Sequence, residues 1–265
     1  MRSSTFRDLL ILISIGVALF AGGYFIVKEI GKADLDLSYE VSIEQEEKLG
    51  DLFKDMIWDQ YPAMKDNAAD SALLQITERL IHALDSTPYR YQFTIIKSKE
   101  VNAFTIPGGN IYVFSGLLEM AETPEEVAAV LAHEIGHAEK RHVVSKLLKE
   151  ISITAIVSIL SGGDPSVLSN ILKQIVGNSF DRQQEDDADK YALQLLEKSG
   201  IQPKSLGQFF ERLNKENLDY NKNLEILMTH PHNDNRIEQV RKYRTKNHFK
   251  AVPFNIDWKK VQESL

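Results

Sequence analysis

Apolar side chains recur along this chain with three different rhythms, and each rhythm predicts an element. Residues 9–27 (LLILISIGVALFAGGYFIV) form an unbroken apolar run without a charge. At about 1.5 Å of rise per residue, such a run covers the ~30 Å hydrocarbon core of a bilayer. Further on, apolar positions return every three or four residues, the spacing of one helix face. Leu49, Phe53, Met56 and Ile57 form one such stripe, opened by a capping-box sequence at Ser42-Ile43-Glu44-Gln45 and ended by Tyr61-Pro62. Leu73, Ile76, Leu80 and Leu84 form a second, over roughly Asn67 to Leu84. His82 on that helix has no partner at ligand spacing and reads as a surface or cap residue.

Between Pro88 and Phe114 the rhythm changes to alternation. Tyr91, Phe93 and Ile95 predict one strand, and two β-rich runs flanking Pro107-Gly108-Gly109-Asn110 predict a hairpin or tight strand pair. Helical spacing resumes at Val127, Val130, Leu131 and Ile135. Thr123-Pro124-Glu125-Glu126 opens that helix: Thr caps, Pro takes the first position and Glu126 completes a capping box. Ala128, Ala129, Ala132 and Gly136 keep it slim. Residues 151–160 are apolar but too short to span a bilayer, and Gly162-Gly163 breaks them. Asp164-Pro165 then opens a stripe of Val167, Leu168, Ile171, Leu172, Ile175 and Val176. The two segments read as a buried helical pair, with a lid or membrane-facing surface as the alternative. A last clear helix passes through Tyr191, Leu195 and Leu196 to Gly200.

Composition adds limits. The chain has 265 residues, 43% hydrophobic and 26% charged, enough for one core or two modest ones. A net charge of −7 argues against a nucleic-acid partner. The absence of cysteine excludes disulfides, thiolate ligands and a cysteine nucleophile, and leaves the redox compartment open. Arg2 and Arg7 precede the long apolar run, and Lys28, Glu29 and Lys32 follow it. The expectation is an anchor over residues 1–30 in contact with membrane lipid, a polar linker over 31–40 and a catalytic domain over 41–265. The arginines put the N-terminus in the cytoplasm and the domain in the periplasm of a bacterial inner membrane. The alternative is a secreted periplasmic domain after signal cleavage, for which Ala18 and Ala21 supply A-x-x-A rather than A-x-A.

The candidate chemistry is His133-Glu134-Ile135-Gly136-His137, an H-E-x-x-H sequence on the slim helix. Histidines at i and i+4 share a face and can close on one Zn²⁺, while the glutamate between them reaches the attacking water. His142, about 140° round from His137 on a continued helix, reads as a residue behind the ligands or at the surface. A catalytic zinc takes three protein ligands, so a carboxylate from the acidic run Asp181–Asp189 is expected as the third. Glu185 and Asp189 share a helix face, one to bind and one to orient a histidine; spacing alone does not choose among Glu185, Asp186 and Asp189. The strand before the zinc helix is expected to pair with an extended peptide along Asn102, Ala103, Phe104 and Thr105.

These residues carry a resemblance. H-E-I-G-H, then R-x-x-E-x-x-A-D at Arg182 to Asp189, N-A-F-x-x-P-G-G at Asn102 to Gly109, and T-H-P-x-x-x-x-R at Thr229 to Arg236 stand in the order found in the gluzincins of peptidase family M48. The resemblance implies an α+β, predominantly helical zincin-like metallopeptidase with a small antiparallel-edged sheet, which the apolar run of residues 9–27 would precede with one transmembrane helix. It implies one Zn²⁺ per subunit on His133, His137 and Glu185, with Asp189 behind a ligand, Glu134 as general base, and His230 and Arg236 on the transition-state side of the cleft. With the anchor read from residues 9–27, the function expected is a membrane-anchored zinc endopeptidase that hydrolyses peptide bonds in extended protein substrates, in envelope or membrane protein quality control. The alternative is a latent protease with His230 on the zinc, acting chiefly as a chaperone-like binder. Some members carry several spans and others carry helical repeats; one clear span and no 34-residue repeat are visible here.

Overall fold

A computed structural model of the chain describes residues 41–62, 64–164, 166–177, 179–218, 226, 229–230 and 234–265. The anchor and linker expected over residues 1–40 lie outside the described residues, as does Pro231. Among the described residues, no helix is long and apolar enough to cross a membrane.

The domain is mostly helical around a sheet of three strands, β1 (Gln92–Ile96), β2 (Ala103–Ile106) and β3 (Asn110–Phe114), in the order β1-β3-β2. The expected strand pair is present: β2 and β3 run antiparallel with Ala103 opposite Val113 and Ile106 opposite Asn110. The turn between them needs Gly108 and Gly109 at φ 80° and 75°, where a Cβ would be strained. The sheet is mixed: β2 is an antiparallel edge, as expected, and β1 lies parallel to β3. The alternation of residues 91–95 marks a strand but not its direction. The 97–102 connection carries the chain past β3 to the far side, which makes β2 the outer strand.

The two-residue period of the strands divides the core in two. Ile95, Ala103, Ile111 and Val113 face one side, against α2 (Asn67–Ile81), α4 (Pro124–Glu139), α8 (Arg182–Lys198) and α9 (Ser205–Leu218). Ile96, Phe104, Ile106, Tyr112 and Phe114 face the other. There they meet α1 (Ile43–Gln60), α5 (His142–Glu150), α6 (Ile153–Leu160) and α7 (Ser166–Gly177). Each fully buried Leu, Ile or Phe contributes about 1.5–3 kcal/mol. The 151–176 region is thus core, with Ile156, Ile159, Leu168, Ile171, Leu172 and Ile175 buried. The helix caps follow local sequence: Ser42 and Gln45 close the expected box on α1, and Tyr61 ends it. His82 caps the end of α2. Between β3 and α4 lies the short α3 (Ser115–Met120), and after α9 come α10 (Asp234–Lys242) and α11 (Trp258–Ser264).

Candidate metal centre

The zinc-type helix α4 begins as its sequence predicts, with the Thr123 hydroxyl accepting from Glu126 N at 3.3 Å. The expected box does not close. The Glu126 carboxylate instead accepts from Glu122 N (2.8 Å) and from Arg212 Nη2 (2.7 Å), because an arginine on α9 offers a charged partner. The helix is buried almost all round from Pro124 to Ala138 rather than along one stripe. Its tightest neighbour is α8, and the contact turns on Gly136. A Cβ there would meet the Ala188 oxygen at 3.0 Å and Ala188 Cα at 3.1 Å. This close approach brings Glu185 and Asp189, one turn apart on α8, to the histidines of α4.

Four residues then offer one ligand atom each within 4.8 Å of one another: His133, His137, Glu185 and His230, all buried. His137 Nε2 is 3.0 Å from His133 Nε2, and His230 Nδ1 is 3.2 Å from His133 Nε2. The Glu185 carboxylate lies 2.9 Å from His230 Nδ1, 3.4 Å from His137 Nε2 and 3.5 Å from His133 Nε2. Three imidazole nitrogens and a carboxylate converging at such separations fit a cation at their centre. With metal–nitrogen arms of ~2.0–2.1 Å, the edges of a tetrahedron are about 3.3 Å. Imidazole nitrogens with one carboxylate oxygen are a donor set that zinc accepts.

A ring of partners holds these donors. Asp189 Oδ1 lies 2.9 Å from His133 Nδ1, so the other nitrogen of that ring faces the centre. Arg236 grips Asp189 through Nε (2.7 Å) and Nη2 (2.8 Å), and its Nη1 is 2.6 Å from Glu185 Oε2. His142 Nδ1 is 3.0 Å from His137 Nδ1. The helical angle counted from His137 does not apply to it, because Arg141, at φ 55°, breaks the helix and turns His142 back beneath the ligand ring. Phe180 stacks on His137 with centroids 4.0 Å apart, and the Lys146 ammonium lies 4.7 Å from the Phe180 centroid. Burial lowers that lysine to about 8. Both residues were silent in the sequence, since an aromatic and a lysine carry no ligand signal.

Glu134 is 1% exposed. Its Oε1 has no hydrogen-bond donor and stands 3.4 Å from His230 Nε2; its Oε2 is 3.0 Å from the Thr105 hydroxyl. Burial raises its carboxyl group above the usual range, against the nearby histidines. Glu185 goes the other way: burial opposes it, but His230, His133 and His137 hold it well below that range. Burial works to lower His133, yet Asp189 and Glu185 outweigh it and raise it to about 9, whereas burial keeps His137 well below an ordinary histidine. Against its own burial, Asp189 is drawn down to about 2 by Arg236.

The structure brings His133, Glu134, His137, Glu185, Asp189, His230 and Arg236 together, with Thr105 against Glu134, but not all in the expected places. His230 stands among the candidate ligands, and Arg236 is spent on Asp189 and Glu185 instead of facing an open cleft. Asn102, Ala103, Phe104 and Thr105 form the outer strand and its start, yet all four are buried. Among the described residues, neither carboxamide atom of Asn102 has a partner, a costly state that a peptide group could relieve.

Known proteins give this geometry its family. The chain is 26% identical to the beta-barrel assembly-enhancing protease of Escherichia coli K12, over 76% of this chain and 44% of that protein. It is 32% identical to the metalloprotease LoiP of the same organism, over 64% of this chain and 68% of LoiP. It is 28% identical to the mitochondrial metalloendopeptidase OMA1 of Saccharomyces cerevisiae, over 69% of this chain and 52% of that protein. The chain thus spans less than half the length of the first of these relatives. The sequence model of Peptidase family M48 matches residues 67–244, from the start of α2 past the end of α10, and the chain belongs to this family of zinc-dependent metallopeptidases.

Proposed function

We propose that this protein is a membrane-anchored zinc endopeptidase that cleaves extended stretches of protein substrates, and that the conformation described is its latent form. The convergence of His133, His137 and Glu185 beside the buried Glu134 carries this reading. These three would hold the zinc, which when bound supplies a Lewis acid to polarise the scissile carbonyl and activate water. Glu134 takes the proton of the attacking water and returns it to the leaving amine. Asp189 keeps the His133 ring in one tautomer, and Arg236 fixes the Asp189 and Glu185 carboxylates. The substrate lies along β2 from Asn102 to Thr105, adding a strand to the outer edge. Residues 9–27 anchor the domain to the inner membrane, with the catalytic part in the periplasm. Envelope protein quality control is the role that accords with a relative named for enhancing β-barrel assembly.

Latency rests on His230. Its Nδ1 lies among the candidate ligands, where it would fill the fourth position that a reacting water needs. The same observation favours the second reading, in which the protein acts chiefly as a chaperone-like binder. Casein cleavage by the full chain, measured with zinc and with o-phenanthroline, separates them. Chelator-sensitive cleavage that rises about tenfold or more in His230→Ala supports a latent protease, since freeing the competent state raises the active fraction. A fall in that variant makes His230 a working catalytic group; no chelator-sensitive cleavage in either protein removes the endopeptidase. The third ligand has its own test. Glu185→Ala is expected to purify with little zinc by metal analysis, and undiminished zinc would move the ligand elsewhere.

A further inference from the structure

Thr105 stands where the outer strand meets the zinc-type helix. On β2 it shares a face with Val101 and Ala103, which join the core beside α4. Its hydroxyl lies 3.1 Å from the Glu134 carbonyl oxygen and 3.0 Å from Glu134 Oε2. A hydroxyl has one hydrogen to give, and the ionised oxygen is the stronger acceptor. With Oε2 held, the two oxygens of Glu134 are no longer equivalent: Oε1 is left without a donor, on the side of His230 and the metal group.

The main chain of Thr105 faces another way. Phe114 N donates to Asn102 O at 3.0 Å, so Asn102 is a hydrogen-bonded partner of β3. In an antiparallel ladder such pairs alternate with non-bonded ones. Phe104 and Ile106 therefore pair with Tyr112 and Asn110, while Ala103 and Thr105 turn N–H and C=O to the outer edge. Val101 confirms the phase, because its carbonyl accepts from Ile226 N at 3.1 Å on that edge, away from β3.

We infer that Thr105 is a positioning residue that ties the substrate strand to the general base, its hydroxyl fixing Glu134 Oε2 and its main chain pairing with the peptide. This rests on the endopeptidase reading. The peptide's register along β2 is thereby set by the same residue that aims the free oxygen Oε1. That oxygen receives the proton as the water's electron pair forms the bond to the carbonyl carbon, and it gives the proton to nitrogen as the C–N bond breaks.

The test compares Thr105→Val, which keeps shape and main chain but removes the hydroxyl, with Thr105→Ser, which keeps the hydroxyl. Both are made in the full chain and assayed on a fluorogenic extended peptide, with zinc affinity and crystal structures measured beside it. In the valine variant kcat is expected to fall about 10–100-fold, with KM and zinc affinity within about twofold. Serine is expected to restore kcat to within about threefold, and Glu134 is expected in more than one rotamer only in the valine variant. Equal kcat in all three proteins overturns the inference. So does a loss confined to KM, a loss that follows zinc content, or serine as poor as valine. If none of the proteins cleaves any peptide even with His230→Ala added to each, the endopeptidase reading fails, and Thr105 is judged on the rotamer alone: one unchanged Glu134 rotamer in the valine variant overturns its role.

Discussion

Glu134→Gln is expected to abolish peptide cleavage, by about 10²–10⁴-fold in kcat, while zinc content stays that of the unaltered protein. The substitution keeps the size of the side chain and an oxygen that can still accept from the Thr105 hydroxyl. It removes the negative charge and the capacity to take a proton, and puts an NH2 donor in place of one oxygen. Glu134 is fully enclosed, where an uncharged amide is cheaper to bury than a carboxylate, so the variant is expected to keep its thermal stability or gain slightly. Metal analysis and a peptide assay on the same preparation decide the matter. Cleavage at an undiminished rate would remove Glu134 from the reaction.

Arg236→Ala is the substitution expected to harm the fold most. Arg236 is the largest of the fully buried side chains. It holds both Asp189 oxygens, reaches Glu185, and lies with Cζ 4.7 Å from the Phe210 centroid. Its removal strands two carboxylates in the interior, an event that typically costs about 3–5 kcal/mol. For a domain of this size that corresponds to a drop in Tm of roughly 6–20 °C. Added zinc is expected to recover part of the loss, because a dication beside Glu185 replaces some of the missing positive charge. Arg236→Lys is expected to recover little, since an ammonium cannot span the fork that the guanidinium makes to two acids. Melting curves of the metal-free and zinc-loaded proteins test this directly. Unchanged melting would mean that the buried acids find other partners.

Helix α4, the pair of strands and the histidine pair could be read from the sequence because each rests on short-range spacing. Four residues place His137 beside His133 whatever the rest of the chain does, and Pro107 to Asn110 can hardly avoid a turn. For the third candidate ligand nothing local separates Glu185 from Asp186; the family resemblance pointed to Glu185, and the contact of α8 with α4 puts its carboxylate beside the histidines. What stayed hidden depends on partners far along the chain. Arg212 on α9 takes the Glu126 carboxylate from the cap it was expected to complete. Arg141 adopts a left-handed conformation with no glycine to announce it, and His142 reaches His137 only for that reason. The direction of β1, the burial of Arg236 and the hold of Thr105 on Glu134 are likewise products of packing, which periodicity does not encode.

The narrow seam at Gly136 and Ala188 has a wider meaning. The reach of Glu185 to the imidazoles is set by how near two backbones can come, and therefore by the hydrogen atom that stands where other residues carry carbon. A single methyl group at that seam would act as a wedge, prising the acid away from the histidines with every donor atom still in the chain. Metal competence in this domain is thus governed in part by a residue that has nothing to coordinate with.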